Sequence, residues 1–113
     1  MIDWKKPLVS ILETVGLPVY YELFVDSSTE TPCITYIEND NSSLVKGETM
    51  EYSKIAFTVK VWGSNLAILM PYCNSIDIAL KKAGFERTLK QELAYETQLQ
   101  IVMRYEANGL ERF

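Results

Sequence analysis

The 113-residue chain contains no histidine. That removes the commonest general base, the commonest metal ligand and most hydrolytic triads at once. It has two cysteines, Cys33 and Cys73, with no Cys-x-x-Cys spacing. Each reads as a reduced core residue, because free cysteine is among the most often buried types. The five glycines are scattered singly, so there is neither a glycine-rich phosphate loop nor a Gly-x-Ser-x-Gly elbow. No apolar run approaches membrane-spanning length. The start, Met1 to Pro7, lacks the apolar core of a signal peptide. These absences predict a protein that stays in the cytosol where it is made, away from membranes. Basic residues are also in deficit, with 11 Lys and Arg against 15 Asp and Glu, a formal net charge of −4. Phosphate binding needs a basic surface, so the balance argues against a general nucleic-acid or anionic-membrane binder. It allows a surface that DNA passes without sticking.

What is present reads as one small globular domain. Hydrophobic residues make up 48% and charged residues 23%, ordinary usage for a folded chain of this length. The clearest signal is Tyr52 to Trp62. Ile55, Phe57, Val59 and Val61 alternate with Lys54, Ala56, Thr58 and Lys60, the period of two that only a strand produces. Burying those four side chains is worth roughly 6–12 kcal/mol before entropy, an upper bound from buried area.

The rest of the chain arranges itself around this strand. Asp3 to Val15 predicts an amphipathic helix with Trp4, Leu8, Ile11, Leu12 and Val15 on one stripe. Gly16 stops it and Pro18 follows. Val19 to Val25 and Cys33 to Glu38 predict strands, separated by a loop over Asp26 to Pro32. Ser64 is the expected cap of a second helix, Asn65 to Ala83, with Ile68, Tyr72, Ile76, Ala79, Leu80 and Ala83 on its inner face. Pro71 should kink this helix or split off its first turn, and Asp77 should be solvated. Gly84 ends the helix. Phe85 to Lys90 and Thr97 to Glu106 predict two further strands, with a connection over Gln91 to Glu96 and a short tail over residues 107–113. The order is α-β-β-β-α-β-β, an α+β two-layer sandwich with a mostly antiparallel sheet of four to five strands. The two helices cover one face and the other is solvated.

Asn39 to Glu51 is too long for a tight hairpin turn. It carries Asp40, Lys46, Glu48 and Glu51, together with Leu44, Val45 and Met50. It is either a solvated loop, with Asn39 to Ser43 at its tip, or a projecting arm that orders on a partner. The seven tyrosines suit sheet and core positions with hydroxyls at the rim, or a protein-binding surface. Tyr20 or Tyr21 on a poorly alternating strand and Tyr95 in a loop are the best interface candidates. Nearby carboxylates such as Glu38/Asp40 and Glu48/Glu51 lack the shaped pocket that acid–base catalysis requires. The sequence therefore offers no catalytic, cofactor-binding or metal residues and reads as a non-enzyme.

Five local strings stand out: Pro18-Val19-Tyr20-Tyr21-Glu22, Thr31-Pro32-Cys33-Ile34-Thr35-Tyr36, Val59-Lys60-Val61-Trp62-Gly63, Ile76-Asp77-Ile78-Ala79-Leu80 and Gly84-Phe85-Glu86-Arg87. With the element order, they resemble the tail completion family of long-tailed phages and prophages, which includes tail terminator and tail-to-head joining proteins. The likeness runs from about Val9 to Glu106, and Pro71 departs from it, falling where such helices continue. The resemblance implies a small sheet with helices on one side and a structural role. Copies would form a ring on the finished tail tube, with a hexamer the expected assembly. The ring would meet the head–tail connector protein and let DNA pass without specific binding. It also implies that the Asn39 to Glu51 hairpin contacts the tail tube protein. The protein would then occupy the host cytoplasm during assembly and the virion afterwards. The alternatives are a head-closure or neck adaptor protein and a small ligand-binding regulatory domain.

Overall fold

A computed structural model describes residues 5–22, 30–45, 51–95 and 98–110. Helix α1 spans Lys5–Glu13 and α2 spans Leu66–Lys82. The strands are β1 (Val19–Tyr21), β2 (Cys33–Val45), β3 (Glu51–Gly63), β4 (Glu86–Tyr95) and β5 (Gln98–Leu110). They form one sheet in the order β1-β2-β3-β5-β4. Every pairing is antiparallel except β1 with β2, which is parallel. The architecture is the expected α+β arrangement in the expected element order.

The alternation read in β3 sets the core. Ile55, Phe57, Val59 and Val61 are fully buried and pack with Ile34 of β2 and Ile101, Met103 and Tyr105 of β5. Both helices cover this face, α1 through Leu8 and Leu12, α2 through Leu69, Cys73, Ile76 and Leu80. The rings of Phe57 and Phe85 meet edge to face at 5.0 Å, and Phe57 stacks on Tyr105 at 5.8 Å. Gly16 and Gly84 both take φ of 100° just past their helices. This left-handed turn suits glycine, and it lets the N–H of Phe85 reach the Leu80 carbonyl at 3.0 Å.

The inner face of α2 is rotated from the expected one. Leu69 and Cys73 face the core, while Ile68 is 54% exposed. Apolar residues stand on both sides of this helix, so spacing alone permits either face. The cap is Asn65 and not Ser64: its side-chain oxygen accepts the Ala67 N–H at 2.9 Å. The helix runs unsplit through Pro71. The helix-free face is not uniformly solvated, because Cys33, Thr35, Ala56 and Val102 are buried there. In register, Lys60 and Trp62 stand beside three of these: Cys33 opposite Trp62, and Thr35 and Val102 opposite Lys60.

The strands are longer than expected. β2 does not stop at Glu38. An extra residue at Asn39 bulges the strand, and pairing resumes from Asp40 opposite Ala56 to Val45 opposite Glu51. The Thr58 hydroxyl donates to Asn39 Oδ1 at 2.7 Å and fixes the bulge. Gln91 to Tyr95 continue β4, and residues 107–110 continue β5 alongside Tyr52 to Ile55. A second irregularity at Thr88 breaks the simple alternation of this strand, leaving Phe85 buried and Leu89 44% exposed. β1 ends at Tyr21, and residues 23–25 of the longer strand expected there lie outside the described residues.

Candidate functional site

The molecule measures 52 × 25 × 22 Å, and the length comes from the sheet. β3 has 13 residues, about 43 Å at the usual rise for a strand. α2 has 17, about 26 Å at the helical rise. The longer helix therefore cannot cover the strands it packs against. At one end β2, β3 and β5 run on together, past the point where β4 begins opposite Glu106. The stretch read as a loop or an arm is thus flanked by three paired strands, Asp40 to Val45, Glu51 to Ile55 and residues 107–110, which together form an arm. A three-stranded ribbon holds its shape better than an isolated hairpin, which is marginal in water.

The sequence candidates divide around this arm. Asp40, Leu44, Val45 and Glu51 lie on it, at registers opposite Ala56, Tyr52, Glu51 and Val45 respectively. Lys46, Glu48 and Met50 lie outside the described residues. Tyr20 is elsewhere, in β1 at one edge of the sheet and 38% exposed. Tyr95 is not in a loop but in β4, at the opposite edge, paired with Gln98. The two tyrosines therefore cannot share a surface with each other. At the base of the arm, Lys5 of α1 reaches Glu38 at 3.3 Å and Arg104 reaches Glu106 at 3.6 Å. Across the helix-free face, Lys60 meets Glu22 at 2.8 Å. Glu38, Arg104 and Glu106 at the arm's root are thus each paired with an opposite charge.

One polar centre was missed in the sequence. Asp77 is not solvated: its side chain is 16% exposed and accepts a 2.9 Å hydrogen bond from the buried Tyr105 hydroxyl. Lys81 stands 2.8 Å and Arg87 3.5 Å from the same carboxylate. Reading the helix one residue out of phase hid this inward position. Beside it lies a shallow, open depression lined by Lys81, Gly84, Phe85, Glu86 and Arg87. Its two cations already serve Asp77, so it offers little free charge to an anion. Both cysteines are free and buried, and burial pushes their thiols up, Cys73 to about 11. Such thiols are poor nucleophiles. Among the described residues no group of histidine, cysteine, aspartate or glutamate side chains could hold a metal ion, and no helix is long and apolar enough to cross a membrane.

Neither a scan against protein-family models nor a search of curated proteins finds a match to this chain.

Proposed function

We propose that this protein is a structural component of a phage or prophage tail, a ring-forming terminator that caps the tail tube and joins it to the head connector. The observation that carries the reading is the three-stranded arm, which extends beyond what the helices can cover and which the core does not need. Asp40, Leu44, Val45 and Glu51 lie on strands of this arm, which in this reading is the element that meets the tube. The net charge of −4 supports it too, since a ring of acidic subunits would not grip passing DNA. The family resemblance supplies the identity of the partners. The rim of the ring, in this reading, comes from contacts made only on assembly.

The test is co-sedimentation with tail tubes from the same phage. The full chain is expected to pellet with the tubes, and a chain lacking residues 41–49 to remain in the supernatant while still unfolding in one cooperative transition. Undiminished pelleting of the shortened chain would remove the arm from the contact. Binding to head connectors but not to tubes would favour the head-closure role.

A further inference from the structure

Among the described residues β4 is the last strand of the sheet, and no strand pairs with its outer edge. Glu86 to Leu89 and Gln91 to Ala94 are exposed, and Lys90 is half-buried. An edge strand presents a row of unpaired N–H and C=O groups, ready to pair with another strand. This one is ten residues long and carries two exposed leucines, Leu89 at 44% and Leu93 at 41%. Neither Lys90 nor Glu92 has an ion-pair partner among the described residues.

The residues along this edge are self-complementary about Gln91. A two-fold axis normal to the sheet at Gln91 lays two copies of β4 antiparallel. Leu89 then stands opposite Leu93 of the second copy, and Leu93 opposite its Leu89. Lys90 stands opposite Glu92 of the second copy, and Glu92 opposite its Lys90. The operation keeps each face of the sheet continuous. Leu89, Gln91 and Leu93 pair with Arg104, Val102 and Gln100 of β5, so the leucines meet on the helix-free face. Lys90 and Glu92 pair with Met103 and Ile101, so the charges meet on the helix face. Neighbouring axes lose this match. An axis at Lys90 sets that lysine against itself and each Leu89 against Gln91. One at Glu92 opposes two carboxylates. Opposite charges and apolar pairs across strands stabilise a sheet, and like charges destabilise it.

We propose that the β4 edge is a homodimer surface, on which a second copy of this chain adds its own β4 antiparallel with Gln91 at the two-fold axis. The irregularity at Thr88 confines regular pairing to the stretch from Leu89 onward. The result is a continuous ten-stranded sheet, near the upper size of twisted open sheets. Such a two-fold contact closes on itself and stops at two copies. It is independent of the ring reading, because the arm strands extend past the end of β4.

Sedimentation velocity over a concentration series of the full chain tests this. A monomer–dimer equilibrium with no larger species is expected. Lys90→Glu places two like-charged pairs across the axis and should weaken the dimer about tenfold or more, as should Glu92→Lys. The double variant K90E/E92K restores opposite charges and should return to within about threefold of wild type. A chain that stays monomeric throughout the series overturns the proposal. So does a dimer that the single variants leave unchanged, or one that the double variant does not rescue. Circular dichroism of each variant separates loss of pairing from loss of fold. Failure of tube binding leaves this result untouched, so the two readings fail separately.

Discussion

The Tyr105 hydroxyl donates a 2.9 Å hydrogen bond to Oδ1 of Asp77, joining β5 to α2 across the edge of the core. Lys81, one turn along α2, and Arg87 on β4 converge on the same carboxylate. Three elements are thus held by one side chain. Tyr105→Phe removes a bond to a charged acceptor and is expected to cost about 1.5–3 kcal/mol. Asp77→Asn keeps an acceptor for the hydroxyl, and its lost partner Lys81 is 54% exposed, so it should cost less. Urea unfolding measures both, with a lower midpoint and an unchanged slope. A larger loss for Asp77→Asn would mean that the ion pairs dominate the site.

The same pair gives stability a pH signature at both extremes. Partial burial alone pushes the Asp77 carboxyl up. The Lys81 and Tyr105 hydrogen bonds and the Arg87 charge outweigh it and hold the group below the usual carboxylate range. A depressed folded value means that the ionised form stabilises the fold above the unfolded pKa of about 3.9, and that this is lost as pH falls through the folded value. The gap between wild type and Asp77→Asn should therefore narrow below about pH 4. Burial, then the bond to and charge of Asp77, push Tyr105 far up. The folded hydroxyl stays protonated while the unfolded one ionises near pH 10. Wild type should lose stability above about pH 10 relative to Tyr105→Phe, which has no such group. Unfolding curves at acid, neutral and alkaline pH check both signs.

Gly63 should not tolerate even a methyl group well. A Cβ there would lie 2.6 Å from Cδ2 and 3.3 Å from Cδ1 of Leu69, and Leu69 is itself only 1% exposed. The leucine has little room to withdraw. Gly63→Ala is expected to cost about 1–3 kcal/mol by overpacking. The penalty should shrink when Leu69→Val makes space, a non-additivity that a double-mutant cycle detects.

That contact also shows why part of the fold was legible in the sequence and part was not. Tyr52 to Trp62 was readable because β-branched and aromatic residues alternate cleanly with polar ones. The helix after it offers Ile68 beside Leu69 and Tyr72 beside Cys73, so its inner face is chosen by packing against Gly63 and the sheet. Asp77 then falls inward, where a displaced reading left it in solvent. Asn39 to Ser43 and Ala107 to Gly109 have turn compositions, yet all but the bulged Asn39 are paired strand, because β3 lies between them and supplies partners on each side. Local composition cannot register that. Of the candidate interface residues, Asp40, Leu44, Val45 and Glu51 lie on the arm, while Tyr20 and Tyr95 were separated by a strand order that sequence spacing does not encode.

The cysteines should be silent until the chain unfolds. Cys33 and Cys73 are 2% and 1% exposed, and burial raises both thiols, Cys73 to about 11 despite the nearby Lys90 charge. Little thiolate exists at neutral pH, and none is accessible to a reagent. Labelling with a thiol-reactive disulfide in native buffer is expected to modify neither residue quickly, and both to react at once in denaturant. Fast labelling of one thiol in native buffer would indicate local opening of β2 or α2.

Trp62 and Thr35 provide the last test, on the helix-free face. The indole Nε1 of Trp62 donates to the Thr35 hydroxyl at 2.8 Å, and Thr35 is the one buried polar residue among those described. Lys60 lies 5.9 Å from the Trp62 ring centre and holds Glu22 on its other side. The bond joins β2 to β3 where Cys33 pairs with Trp62. Thr35→Val keeps the shape but strands a part-buried N–H, which costs about 1–3 kcal/mol. Trp62→Phe removes the donor and shrinks the ring, so it carries a packing loss of its own. With Trp62→Phe already present, Thr35→Val no longer strands a donor and should cost well under 1 kcal/mol. A Thr35→Val penalty that is the same in both backgrounds would show that the hydroxyl acts through something other than this indole.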